Sequence, residues 1–377
     1  MITITDKSHC SGCTACYTAC PKHAITMIPD ELGFKYPNVN KELCVECGIC
    51  VKVCTFCNPT LNESPQRIYA ARNLEKDEIK SSRSGALFPE LYKTIIKENG
   101  VVYGAAFDES LFVKHIATTV EKECASFKGS KYVQSDLGDT FKSVITNLKD
   151  GKLVLFSGTP CQVSGLLSVV PSKLQSSLYT VDIICHGVPS PQLFKDYLSY
   201  IENKHHSKVK KFNFRDKSIN GWHDHKESAI LENGDKVIDT TFTNLFYTNC
   251  FFRESCYACP FACANRVSDI TLGDLWGWEQ IDKLLNSDDL GISLVFVNTE
   301  KGGMLLNQSK DVLLIKQIGL EQCMQRNLKA PTSRPSFRND ILKTYNKDGF
   351  VHLINYLFNP SFVQRLGRKI KKLFIHE

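Results

Sequence analysis

The stretch KLVLFSGTPCQVSGLL, residues 152–167, reads as a short buried strand that ends near Gly158 and runs into TPCQVSGLL, with Cys161 just past the strand end. Upstream, LGDTFKSVITNLKDG places Phe141, Val144, Ile145 and Leu148 at helical spacing. VVYGAAF, residues 101–107, reads as another strand. Before it, SGALFPELYKTIIKENG carries Leu87, Phe88, Leu91, Ile95 and Ile96 on a helical period, with Ser84 as N-cap and Gly100 as stop. Downstream, YTVDIIC closes at Cys185 before the turn HGVPSP. Helices alternate with strands, which predicts an α/β core: a mixed sheet covered by helices, with ligands gathering at the carboxyl ends of strands. If the strands before Cys161 and Cys185 are neighbours, both sulfurs emerge on one edge of the sheet.

The 377 residues are 42% apolar, enough for two or three domains around a sizeable core. No window approaches 18 uninterrupted apolar residues, and MITITDKSHC lacks the succession of an export signal, so a cytoplasmic location is expected. Seventeen cysteines are then unexpected, because a reducing compartment does not sustain a disulfide framework. Metal ligation or redox chemistry is the better account of clustered thiols, with isolated ones such as Cys124 and Cys323 read as small buried hydrophobes. The net charge of +6 is concentrated at the end of the chain. The last fourteen residues hold five Lys or Arg and one Glu, leaving +2 for the rest, so a nucleic-acid partner is not expected.

HCSGCTACYTACPK, from His9, and LCVECGICVKVC, from Leu43, repeat the spacing C-x-x-C-x-x-C-x-x-x-C thirty-four residues apart. This is bacterial ferredoxin spacing, in which the fourth cysteine of each run ligates the other run's [4Fe-4S] cluster. Cys10, Cys13, Cys16 and Cys54 are expected to hold one cluster; Cys44, Cys47, Cys50 and Cys20 the other. Zinc, which closes its tetrahedron with pairs of ligands, has no use for a doubled four-cysteine run. Thr55 stands where the motif expects proline, and the extra Cys57 is read as a bystander. Residues 1–60 thus read as a small α+β ferredoxin-like domain. A core follows in two parts, residues 61–150 and 151–345, then a basic amphipathic helical extension, residues 346–377. In RESCYACPFACANR, Cys256, Cys259 and Cys263 add further thiols, and a third cluster is expected from Cys161, Cys185, Cys256 and Cys259, or from a set in which Cys263 replaces Cys161 or Cys185.

Together SGTPCQVSGL, DIICHGVPSP, FRDK followed by GW, SCYACPF and RVSDITLGDLWG resemble the beta-subunit family of coenzyme F-420 hydrogenases and dehydrogenases, with a fused ferredoxin-like head. SRSGALF and GSKYVQS resemble that family's N-terminal half. The resemblance covers roughly residues 1–280. It implies a flavoprotein oxidoreductase with FAD in the α/β core, a nearby [4Fe-4S] cluster ligated by Cys161, Cys185, Cys256 and Cys259, and an electron-transfer role. Electrons would pass between a redox protein or small-molecule donor, the clusters, FAD and a small two-electron acceptor such as a deazaflavin, in either direction. A flavin suits that place because it exchanges one electron or two. The alternative is a non-catalytic electron-carrier subunit that docks to a separate reductase.

For flavin and substrate the sequence offers candidates. Ser84 and Gly85 belong to SRSGALF; Gly158 and Thr159 could bring N–H groups to a phosphate where a strand enters a helix. Lys131 and Tyr132 could meet a pyrophosphate or stack on a ring, and Asp274, with Trp276, could line the pocket. His186, beside Cys185, is the catalytic candidate as a proton donor, set against a histidine satisfied by the chain. NKHHSKVKKFNFRDK holds six Lys or Arg against one Asp. Arg215 and its neighbours there could meet an acidic acceptor, although such runs are usually solvated. Leu366, Ile370, Leu373 and Phe374 share one face of a basic C-terminal helix, a candidate for peripheral membrane contact or ordinary packing.

Overall fold

The computed structural model describes residues 1–56, 59–63 and 65–358. Among these residues lie thirteen strands: β1 (Ile25–Pro29), β2 (Lys35–Val39), β3 (Arg67–Asn73), β4 (Val101–Phe107), β5 (Val113–Thr118), β6 (Val154–Gly158), β7 (Leu178–Ile183), β8 (Val209–Asn213), β9 (Glu227–Leu231), β10 (Lys236–Asp239), β11 (Ile270–Asp274), β12 (Ser293–Val297) and β13 (Leu313–Gln317). Eight of them make one sheet in the order β13-β3-β12-β11-β7-β6-β4-β5. β4, β6, β7 and β11 pair in parallel, whereas β5, β12 and β13 run antiparallel to their neighbours. Strands covered on both faces should be continuously apolar. Val154, Leu155 and Phe156 of β6 are fully buried, as are all five residues of β12. The mixed sheet with covering helices is the architecture expected from the sequence, and residues 61–150 and 151–345 contribute strands to the same sheet.

Helices form where the apolar period runs. Leu87–Lys97 buries Leu87, Leu91 and Ile95, and Thr140–Lys149 buries Phe141, Val144 and Leu148. The N-cap of the first is Ala86 in the left-handed region (φ 57), because Ser84 Oγ instead donates to Ile292 O at 2.7 Å across the sheet. Pro160–Val169 begins with the proline that suits a first helical position, after Thr159 as N-cap and with Gln162 completing a capping box.

The N-terminal cysteine repeat is also a structural repeat. The short helices Ala15–Ala19 and Ile49–Lys52 each follow a left-handed residue, Thr14 (φ 64) and Gly48 (φ 75), and β1 and β2 form a hairpin between them. This unit rests on Pro160–Val169. A Cβ on Gly165 would lie 2.7 Å from Cys13 Sγ, so the contact exists because that helix has no side chain there.

Between β7 and β11 the chain adds a layer. The sheet β10-β9-β8, the helix Pro191–His205 and the helical stretch Arg338–Phe358, broken at Gly349, enclose Phe194, Tyr197, Phe212, Phe214, Phe242 and Leu353. Residues 346–358 therefore pack into this layer. The basic amphipathic face from Leu366 onward, and Cys57, lie outside the described residues. Among the described residues no helix is long and apolar enough to cross a membrane.

Gly165→Val should lower stability by about 1–3 kcal/mol, the usual cost of overpacking a closed contact. A urea midpoint equal to that of the unaltered chain would contradict the close docking of the two units.

Candidate functional site

The parallel register of β6 and β7 pairs Gly158 with Asp182. Cys161 and Cys185 each lie three residues beyond that pair, so both leave the carboxyl edge of the sheet together. The 3₁₀ turn Glu254–Ala258 brings Cys256, and Cys259 follows it. The four thiols influence one another electrostatically. Burial, then the charge of Cys259, pushes Cys161 up to about 11; burial, then Cys161, pushes Cys185 up to about 12. Burial, then Cys185, raises Cys259 to about 12, and Cys256 is raised by burial and by Cys185, Cys259 and Cys161. Val188 N–H donates to Cys256 Sγ at 3.4 Å, and Thr159 Oγ1 lies 3.2 Å from Cys161 Sγ. Cys263 Sγ instead faces its own loop, 3.1 Å from Asn265 O.

Two further sets lie in the N-terminal unit. Burial, then the charges of Cys13, Cys10 and Cys54, raises Cys16. Cys13 is pushed up to about 12 by burial and by Cys10, Cys161 and Cys54, so this set adjoins the core set. Cys20, Cys44, Cys47 and Cys50 line a small cavity with Pro21, Ile25, Val39 and Ile49. Into it Ala24 N–H and Ile2 N–H donate to Cys20 Sγ and Cys50 Sγ at 3.3 and 3.2 Å. Cys54 thus acts on Cys13 and Cys16 of the first run, and Cys20 shares a cavity with Cys44, Cys47 and Cys50 of the second.

A buried guanidinium holds the core thiols in place. Arg266 Nη1 donates to Phe261 O at 2.9 Å and Cys263 O at 3.1 Å, Nη2 donates to Ile183 O at 2.9 Å, and Nη2 pairs with Asp182 Oδ2 at 3.2 Å. The loop carrying Cys259 is thereby tied to the end of β7, two residues before Cys185. Burial raises the Asp182 carboxyl, against the charge of Arg266, which lowers it.

Beyond the end of β11 lies a second constellation. Arg215 Nη1 pairs with Asp274 Oδ2 at 2.8 Å, and Trp222 Nε1–H reaches Asp274 Oδ1 at 3.3 Å. Arg83 Nη2 donates to Trp222 O, while Arg83 Nε and Nη1 and Arg215 Nε are buried with no hydrogen-bond partner among the described residues. Burial, then the charge of Arg215, brings Arg83 down to about 10; burial, then Arg83, brings Lys217 down to about 7. His225 is held neutral, pushed down to about 2 by burial and by Arg215 and Arg83. Trp276 stacks on Trp222 with centroids 4.7 Å apart and is 44% exposed, whereas Trp278 packs against the core. Tyr132 packs with Phe214, His225 and Phe246 and sets its hydroxyl 3.5 Å from Arg215.

Other sequence candidates have partners within the chain. Lys131 Nζ donates to Ser126 O and Lys128 O at 2.7 and 2.9 Å, and burial pushes it down to about 7. Gly85 N–H donates to Ser293 Oγ, and Thr159 N–H, next to Gly158, donates to Gln162 Oε1. His186 has Nε2 at 2.9 Å from Asn249 Oδ1 and Nδ1 at 3.2 Å from Asn327 Nδ2. In the basic stretch, Lys208 pairs with Glu202 and Lys210 and Lys211 are exposed on β8, apart from buried Arg215. Sequence reasoning assigned no role to Arg83, Arg253, Arg266 or Trp222. The signal was available for all four: Arg253 stands three residues before Cys256, Arg266 three after Cys263, Arg83 inside SRSGALF, and Trp222 in the GW that follows FRDK.

Residues 151–320 match the family described as the C terminus of the coenzyme F420 hydrogenase/dehydrogenase beta subunit, and residues 9–57 match the 4Fe-4S dicluster domain. An uncharacterized ferredoxin of Methanocaldococcus jannaschii is 39% identical over 51 residues, which are 14% of this chain; the chain spans 65% of that ferredoxin's length. A chain of the F420-reducing [NiFe] hydrogenase complex from Methanosarcina barkeri, solved as a xenon derivative, superposes with a TM-score of 0.50 at 18% identity. The match covers 78% of this chain and 96% of that one, and it establishes a shared fold.

Arg266→Met should cost about 3–5 kcal/mol, because Asp182 is left as an uncompensated buried carboxylate. Adding Asp182→Asn should restore part of the loss, measured by denaturant unfolding of both variants. Equal stability of the single variant and the unaltered chain would contradict the role given to this pair.

Proposed function

We propose that this chain, a relative of the coenzyme F420 hydrogenase/dehydrogenase beta subunits with a dicluster ferredoxin unit in front, is an iron-sulfur flavoprotein oxidoreductase. The observation that carries the reading is a succession: the Cys20–Cys44–Cys47–Cys50 cavity, the Cys10–Cys13–Cys16–Cys54 set, the core set at Cys161, and then the cation-rich aromatic constellation past β11. Each thiol set is assigned one [4Fe-4S] cluster, with Cys161, Cys185, Cys256 and Cys259 as the core ligands. When bound, the clusters would supply one-electron relay and FAD the exchange between one- and two-electron chemistry.

FAD fits the constellation by the chemistry of its donors. Arg83 and Arg215 present buried N–H groups with no partner among the described residues, and Asp274 is the carboxylate paired to Arg215. Guanidinium groups of this kind suit a planar or phosphate oxyanion. Tyr132, Trp222 and Trp276 offer ring faces, and Arg83, Arg215 and Lys217 make the surroundings cationic. A pure electron carrier would have no need of buried guanidinium groups with free N–H donors, which favours an enzyme with its own small acceptor. A deazaflavin or another small reducible molecule is the proposed two-electron substrate, and a redox protein or small molecule the one-electron partner. Ser84, Gly85, Gly158, Thr159 and Lys131 support this pocket through the backbone bonds described above. His186 is assigned the part of a hydrogen-bonding group that, through Asn249 and Asn327, orients the loop after Cys185.

Anaerobically purified full-length protein should carry flavin, and flavin and iron-sulfur absorbance should bleach together in a reductive titration. Arg83→Ala with Arg215→Ala should weaken flavin binding about tenfold or more, in line with about 1.5–3 kcal/mol for a hydrogen bond to a charged group, and leave the iron content unchanged. Intact clusters in a chain that binds no FAD would contradict the flavoprotein reading.

A further inference from the structure

Arg253 lies between the two inner cysteine sets. Its backbone N–H donates to Val188 O at 3.1 Å, in the loop after Cys185, and three residues later the chain reaches Cys256. Its side chain leaves that loop and enters the ferredoxin-like unit. Nε donates to Cys10 O at 2.7 Å and Nη1 to Gln134 Oε1 at 3.0 Å. Nη2 donates to Lys35 O at 2.9 Å and lies 3.6 Å from Cys10 Sγ. The guanidinium stacks on Tyr36, 4.1 Å from the ring centroid, and Gln134 Nε2 ties the arrangement to Ser11 O at 2.9 Å. The turn between Cys10 and Cys13 is shaped to admit it. Gly12 has φ 70, and a Cβ there would meet Arg253 Nη1 at 2.8 Å.

The residue is 1% exposed, and among the described residues it forms no ion pair with a carboxylate. A buried cation satisfied by carbonyls, an amide oxygen and a sulfur leaves its charge uncompensated, which is costly unless an anion lies close by. The anion within reach is a thiolate-bound cluster. Its nearest ligand is Cys10, and the same positive charge also acts on Cys161.

We propose that Arg253 is the positioning residue that couples the two inner cysteine sets: it fixes Cys10 against the Cys256 loop and raises the reduction potential of the cluster held through Cys10. This rests on the cluster assignment above. Reduction adds negative charge to a cluster, so a fixed cation and an N–H···S contact favour the reduced form. The outer set, Cys20 with Cys44, Cys47 and Cys50, accepts N–H groups of Ala24 and Ile2, but the cation lining its cavity is the exposed Lys22 and, among the described residues, not a buried guanidinium.

The test is a redox titration followed by electron paramagnetic resonance on the full chain, comparing the unaltered protein with Arg253→Lys and Arg253→Gln. Iron and sulfide content are measured on each. The midpoint of one centre should fall in the order unaltered, Lys, Gln. For Gln the reduced-to-oxidised ratio at fixed poise should drop about tenfold, equivalent to about 59 mV for one electron. The midpoints of the other centres should stay where they are. If Arg253→Gln does not assemble its clusters, the Lys variant decides, because it keeps the charge but loses the guanidinium fork. Unchanged midpoints in cluster-loaded variants, or equal shifts in every centre, would overturn the inference. A well-folded unaltered chain that takes up no iron would overturn the underlying assignment instead.

Discussion

The parallel register of β6 against β7 is the constraint on which the site depends. Gly158 opposite Asp182 fixes where both strands end, and the equal offset to Cys161 and Cys185 follows from it. Two thiols placed this way are half-buried, and desolvation raises them as free thiols. Iron would have to displace those protons, which couples cluster uptake to folding. Cys256 and Cys259 arrive from a separate loop, and the buried Arg266–Asp182 pair sets that loop's distance from β7. A desolvated ion pair is weak evidence for stability and better evidence for specificity. Here it fixes two chain segments that sequence separates by some eighty residues.

The ferredoxin-like unit is joined to this edge by close approaches. Gly165 admits Cys13, and Gly12 admits Arg253. Both contacts bring a cysteine of one set to the neighbourhood of the next. Positive charge accompanies the thiols through the interior: Arg253 by Cys10 and Cys161, Arg266 by Cys185 and Cys259, then Arg83, Arg215 and Lys217 past β11. Arg215, Arg253 and Arg266 are buried and Arg83 and Lys217 partly buried, an arrangement that suits anions. On the proposed reading, thiolate clusters and a phosphate-bearing cofactor would supply them.

Much of this was legible in the sequence because the signals were local. The strand at 101–107 has the bounds read from VVYGAAF, and the apolar period placed the helices around Leu91 and Val144. Cysteine spacing located the N-terminal sets before any contact was known. What sequence could not supply was tertiary. Ser84 looked like a cap, but Ile292 O, some two hundred residues away, takes its hydroxyl. Thr159 looked like a phosphate site, but Gln162 and Cys161 occupy it. Lys131 is held by carbonyls of its own turn. The arginines that organise the site were hidden for the opposite reason, since a buried guanidinium and a solvated one look alike in a string of letters.

The central claim is that three converging thiol sets each hold an iron-sulfur cube, and iron counting tests it most directly. Anaerobically reconstituted protein should contain about twelve irons and a matching amount of acid-labile sulfide per chain, and Cys161→Ala with Cys185→Ala about eight. A well-folded, colourless chain that takes up no iron, or a double variant with an undiminished count, would contradict the account.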